Sequence, residues 1–272
     1  MKETKDQFIL MDRAEFAKWL NEQTINRKVV RIQNHHTWKP RYENFDGKNH
    51  FKMLNGMKRS HQNRGFSDIA QNITTFPDGT IAICRPLTKI PAGIKGANTG
   101  GICIEHIGNF DEGGDKMSAR HKTTILKLNA LLLQKFNLKA DDKSLVYHHW
   151  YDLNTGKRKN GKGSTKSCPG TNFFGGNSVD AAKENFIPKI AAELKKLKPL
   201  IAVEATNEVE TSVMYSVRYS DKAAIDHGKE LQKFLNKFKG INIKVDGWPG
   251  KKTSNAFMKV TGYYLQGDPR LK

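Results

Sequence analysis

Residues 145–171 read LVYHHWYDLNTGKRKNGKGSTKSCPGT, and the rest of the chain is organised around them. The opening residues 145–147 are apolar enough for a buried strand that delivers His148 and His149 to its end. A loop rich in Gly, Lys and Asn follows, closing on Thr165-Lys166-Ser167-Cys168-Pro169-Gly170. An imidazole and a thiol therefore bracket one loop. Both suit zinc, and a catalytic zinc site commonly takes three protein ligands and leaves a fourth position for water. The third ligand is expected elsewhere, and His35-His36, shortly after the strand-like run at 29–32, is the candidate. Adjacent strand residues point to opposite faces, so only one histidine of each pair can normally face a metal.

Working outward, 272 residues suffice for one sizeable core, or a core domain with a small appendage. A hydrophobic fraction of 37% without an apolar run of membrane-spanning length points to a soluble protein with no membrane partner. The first residues, MKETKDQF, lack the apolar core of a signal peptide, so synthesis in a cytoplasm without a leader is expected. Three cysteines, Cys84, Cys103 and Cys168, make no even disulfide framework, which suits a reducing compartment and leaves Cys168 free as a ligand. The net charge of +19 favours a polyanionic partner. No zinc-finger spacing, RNP-type aromatic run or basic zipper marks the chain for specific nucleic-acid binding. A bacterial wall rich in phosphate polymers is equally polyanionic.

Along the chain, Asp12 is placed to cap a helix carrying Phe16, Trp19 and Leu20 on one face. Residues 28–33 read as a strand and 40–47 as a loop. Phe51, Leu54 and Met57 have helical spacing despite Gly56. Pro77-Asp78-Gly79 turns a hairpin between 68–76 and 80–84. The Gly-rich segment 91–101 leads into a strand, which excludes a phosphate-cradling loop that opens a helix. That strand holds Glu105, a carboxylate in an apolar run. Residues 118–136 read as a helix; Ser178 caps another through about 195, which Pro188 should kink or divide. A linker is read at 199–213. Beyond it, Leu231, Phe234, Leu235 and Phe238 form a helical stripe, 245–250 a tight turn, and Thr253 a cap for a helix with Phe257 and Val260.

The segments IQNHHTWKP, GFSDIAQNITTFPDGTI, AGIKGANTGGICIEHIGNFD and YHHW…STKSCPG, in that order, resemble the zinc-dependent N-acetylmuramoyl-L-alanine amidases related to peptidoglycan-recognition proteins and phage lysozymes. The likeness spans about residues 25–195. The tail, L-Q-x-x-L…V-D-G-x-P-G-x-x-T, resembles a peptidoglycan-binding helical domain, and the two together resemble an endolysin. The resemblance implies His35, His148 and Cys168 as zinc ligands, with His36 and His149 as neighbours. It implies Glu105 as the catalytic carboxylate and Lys166 as the cation that stabilises the reacting centre. Where some relatives carry a catalytic tyrosine this chain has Gln71, and where many have a histidine it has Gly93; the loop before Cys168 carries a basic insert at 156–163. Hairpin-like loops lengthen without moving their ends.

Other histidines, His50, His61, His106, His121 and His227, read as structural or surface groups, and Cys84 and Cys103 as small buried residues. Trp38 and Trp150 fit either a substrate groove or the core; Trp248 fits a structural turn. The expectation is a mixed α/β fold, a mostly β central sheet flanked by helices, plus a small C-terminal helical domain. The domains are read as an amidase at 1–198, a linker at 199–213 and a wall-binding domain at 214–272. The resemblance implies peptidoglycan as partner, anionic wall polymers as a second, and action on the cell wall. Two alternatives stay open: a non-catalytic peptidoglycan-recognition module, and a basic nucleic-acid-binding protein with structural zinc. Oligomeric state has no signature in the sequence.

Overall fold

Seven strands form one mixed sheet in the order β1-β2-β5-β4-β6-β3-β7. They are β1 (Glu3–Lys5), β2 (Phe8–Met11), β3 (Arg31–His36), β4 (Ile73–Thr75), β5 (Ile81–Ile83), β6 (Gly101–His106) and β7 (Leu145–Tyr147). Neighbours from β1 through β2 and β5 to β4 run antiparallel, and those from β4 through β6 and β3 to β7 run parallel. This computed structural model describes residues 2–197, 217–238 and 240–271. The chain divides into two compact units, Met1–Leu197 and Lys198–Lys272.

Strand alternation sends side chains into two cores. Along β2, Phe8 and Leu10 join one apolar cluster while Met11 joins the other; along β5, Ala82 and its neighbours Ile81 and Ile83 divide the same way. One core holds residues of three helices, α1 (Arg13–Glu22), α3 (Ala119–Lys135) and α5 (Ile187–Lys196). The other lies beneath α2 (His50–Asn63), which contributes Met53, Leu54 and Met57. No helix among the described residues is long and apolar enough to cross a membrane.

Local chemistry explains most boundaries. Asp12 caps α1 in a reciprocal capping box with Glu15, and Ser118 caps α3 through His121 N. Gly56 is tolerated inside α2, where a Cβ would meet no atom within 4 Å. Ser178 caps a short α4 (Val179–Ala181), after which Ala182–Phe186 widens into a π turn before α5 begins around Pro188. The proline's missing N–H is absorbed there by a wider turn rather than by a break.

Several expectations are corrected. The strand read at 28–33 starts at Arg31 and runs through His36, so both histidines are strand residues on opposite faces. His148 is no strand residue: it opens a 3-10 turn, His148–Trp150. Trp150 is wholly buried, its Nε1 donating to Asn177 O at 2.8 Å, so it belongs to the core and not to a groove. The polar opening residues contain β1, whose side chains are all exposed, which is why no apolar pattern announced it.

In the second unit, α6 (Gly228–Leu235) and α7 (Lys251–Thr261) enclose a core of Val217, Leu231, Phe234, Leu235, Ala256, Phe257 and Leu265. Buried Gln232 pins the 245–250 turn: its Nε2 donates to Asp246 Oδ1 at 2.8 Å and Trp248 O at 3.0 Å, and its Oε1 accepts from Gly247 N at 2.6 Å. Thr253 is not the cap: it lies inside α7 behind Gly250, its hydroxyl donating to Trp248 O at 3.2 Å. The linker read at 199–213 lies outside the described residues.

Candidate metal centre

The parallel register sets His35 on β3 beside Glu105 on β6, and Asn34 beside Tyr147, the residue that hands over to His148. The carboxyl ends of three adjacent strands thus converge, where open α/β sheets commonly place their ligands. Cys168 reaches the same point because the loop closes on itself: His149 N donates to Cys168 O at 2.8 Å and Leu153 N to Ser164 O at 2.7 Å. The basic insert folds inside this closure. Arg158 lies over the Trp150 ring at 4.9 Å and pairs with Asp142 at 2.8 Å.

His35 Nδ1 stands 3.2 Å from His148 Nδ1 and 3.5 Å from Cys168 Sγ. An ion bound tetrahedrally at ordinary zinc–nitrogen and zinc–sulfur bond lengths separates two nitrogens by about 3.3 Å and nitrogen from sulfur by about 3.6 Å. The donor set therefore fits zinc in ligand type and in both of these spacings, and all three ligand atoms lie within 4.8 Å of one another. A second group, His35, Cys103 and Glu105, also draws its ligand atoms within 4.8 Å. In it Glu105 Oε1 lies 3.9 Å from His35 Nδ1, beside the first group rather than inside it.

Residues 25–171 match the family model of the N-acetylmuramoyl-L-alanine amidases. The chain belongs to that family. Its ligand class is accordingly peptidoglycan, as an amidase substrate or as a recognised polymer. Among curated proteins no match is found. Solved structures similar to it include the N-acetylmuramoyl-L-alanine amidase LysC from Clostridium intestinale URNW, at 23% identity over 62% of this chain and 87% of that one, with a TM-score of 0.44. Drosophila PGRP-LB is similar at 20% identity over 56% and 81%, with a TM-score of 0.45. Bumblebee PGRP-SA follows at 17% identity over 59% and 86%, with a TM-score of 0.44. The family assignment rests on the family model and not on these likenesses.

In this amidase-family site, burial opposes every charged form. It pushes His35 well below the usual imidazole range, His148 to about 4, and the Cys168 thiol well above the usual range. Neutral imidazoles are what a metal needs, and a bound cation is the charge that deprotonates a coordinating thiol outright. Burial also raises Glu105 to about 8, against the pull of the Lys166 and Arg64 cations.

These groups open on a cavity of about 890 Å³, whose wall includes Trp38, Met57, His61, Arg64, Phe66 and Lys166. Trp38, of the two tryptophans read as groove or core, is 58% exposed and lines it. Arg64, at the end of α2 and 5.4 Å over the Phe66 ring, carried no signal in the sequence. His61 lines the wall while its Nδ1 accepts from Ala70 N at 3.0 Å. Gln71 is turned into the core and donates to Thr74 Oγ1 at 2.9 Å. His36 faces the other way, its Nδ1 accepting from Phe110 N at 3.1 Å, and His149 binds back to the Lys166 carbonyl at 2.7 Å.

Proposed function

We propose that the protein hydrolyses the amide bond between N-acetylmuramic acid and L-alanine in peptidoglycan, with zinc held by His35, His148 and Cys168. The observation that carries this reading is the 3.2 Å and 3.5 Å spacing of the three ligand atoms in a chain of the amidase family. Zinc, when bound, supplies a water of lowered pKa and a Lewis acid for the lactyl carbonyl. Glu105 then serves as the proton carrier. Its carboxyl flanks the ligands at 3.9 Å from His35 Nδ1, and burial raises its hold on a proton, as a group that both accepts and returns one requires. It takes one proton from the attacking water and delivers one to the departing L-alanine nitrogen. Lys166, on the cavity wall, stabilises the oxyanion of the tetrahedral intermediate.

The second unit, in this reading, holds the enzyme on the wall, as its likeness to peptidoglycan-binding domains suggests. The net charge of +19 adds attraction to anionic wall polymers. The biological outcome would be wall lysis of the endolysin or autolysin kind.

The test is digestion of purified Gram-positive peptidoglycan with and without a chelator, with products read by mass spectrometry. New free L-alanine amino termini that vanish on chelation and return with zinc are expected. Reducing sugar ends instead, or wall that is bound but uncut, would end the amidase reading.

A further inference from the structure

Two glycines of ordinary backbone conformation enclose one buried amide. Gln33 lies on β3 two residues before His35, so both side chains leave the same face of the sheet. It is wholly buried, and its Nε2 donates to Ala97 O at 2.8 Å. That bond fixes which way the amide points, because a carbonyl can only accept. Gln33 Oε1 is left facing the other side with no hydrogen-bond partner. A Cβ on Gly101 would stand 2.6 Å from Gln33 Nε2, and one on Gly93 would stand 2.4 Å from Gln33 Oε1. Neither glycine has a positive φ, so space and not backbone freedom is what these positions provide. The Cβ on Gly93 would also stand 3.1 Å from His35 Nε2, a second buried atom without a partner. An unpartnered acceptor and an unpartnered ring nitrogen therefore converge beside the Gly93 Cα, together with Cys103 Sγ, which that Cβ would meet at 2.6 Å.

The ring's other nitrogen gives this meaning. His35 Nδ1 is the atom that meets His148 and Cys168, so a ligating His35 carries its proton on Nε2. A buried N–H without an acceptor costs about 1–3 kcal/mol, and metal-ligating histidines almost always donate their second N–H. We propose that Gln33 is the positioning residue of the metal centre: its Oε1 accepts the Nε2 proton of His35, directly or through one water, and so holds the ring in the tautomer that leaves Nδ1 for the ion. This rests on His35 being a metal ligand, as proposed above.

The experiment uses the full chain and zinc as the probe. Zinc affinity is measured by competition with a chromogenic chelator for the wild type and for Gln33→Leu, with circular dichroism of both metal-free proteins. Loss of about 10–100-fold in affinity with folding retained is the expected result. Equal affinities in the two proteins would overturn the role of Gln33 while leaving the metal reading intact; a wild type that binds no zinc would overturn both. Should Gln33→Leu fail to fold, the nitrogen NMR spectrum of histidine side chains in the zinc-loaded wild type decides. A slowly exchanging His35 Nε2–H supports the assignment, and a rapidly exchanging one, or a proton on Nδ1, refutes it.

Discussion

Glu105 is asked to move protons without binding the metal, and that division of labour has a measurable signature. Replacing it by Gln keeps the shape and removes the basic oxygen, so Glu105→Gln should bind zinc as the wild type does. Turnover should fall by about 10²–10⁴-fold, the usual contribution of a positioned acid–base group. Zinc content by atomic absorption and product release from peptidoglycan would be read on the same sample. Retained turnover would remove Glu105 from the mechanism, and lost zinc would move it into the ligand set with Cys103, the second group the structure draws together. At this scale the sequence offered residue types and order. His35, His148 and Cys168 could be named jointly because strand, loop and thiol recur in a familiar arrangement. Strand alternation could not choose between His148 and His149, because the chain leaves the strand at Tyr147 and turns in a 3-10 helix. Gln33 and Arg64 were invisible, since what distinguishes them is the space around an amide and the wall of a cavity, both tertiary facts.

The elements are laced together by a buried polar chain whose direction can be worked out donor by donor. Ser118 N donates to the Tyr42 hydroxyl at 3.1 Å, so that hydroxyl gives its proton to His121 Nδ1 at 2.9 Å. His121 Nε2 then donates to Thr75 Oγ1 at 2.7 Å, Thr75 to His106 Nδ1 at 2.8 Å, and His106 Nε2 to Asn34 Oδ1 at 3.1 Å. This connects α3, β4, β6 and β3 and requires both imidazoles neutral. Burial pushes His121 down to about 3 and His106 well below the usual range. An unfolded histidine titrates near 6.5, so on acidification the unfolded chain takes protons first. The stability these rings contribute is whole above about pH 6.5 and drains as pH falls toward 3, by about 2 kcal/mol for His121 between pH 6.5 and 5, with His106 acting in the same direction. Urea unfolding with a chelator present should show this fall, and His121→Gln, which keeps a donor and an acceptor but does not titrate, should have a shallower slope. Equal slopes would refute the assignment. Helices with side-chain caps, begun at Asp12, Ser118 and Ser178, were legible because the cap and the apolar stripe agree. The three-residue β1 was not, because an exposed strand at a sheet edge carries no hydrophobic alternation.

The whole molecule joins a site-bearing unit to a smaller one with its own core, and both carry excess positive charge. Charge alone would attract either unit to an anionic wall, but that attraction is screened beyond about 8 Å at physiological salt. A unit that binds the wall by shape would act differently, by raising the effective concentration of the site at its substrate, a gain of about 10²-fold or more when linked contacts engage together. The two contributions separate in one comparison. Residues 1–197, which hold both large hydrophobic cores and the three proposed ligands His35, His148 and Cys168, are compared with the full chain for sedimentation with purified walls and for turnover of a soluble muropeptide. Turnover of the small substrate should agree within about twofold, because every residue to which a role in the chemistry is proposed lies within 1–197. Wall binding should fall by about 10²-fold on truncation, and the gap should persist when salt is raised to about 0.5 M, although both proteins weaken. A gap that closes with salt would reduce the second unit to a source of charge. No gap at all would mean that the groove beside His35 and Trp38 holds the wall unaided.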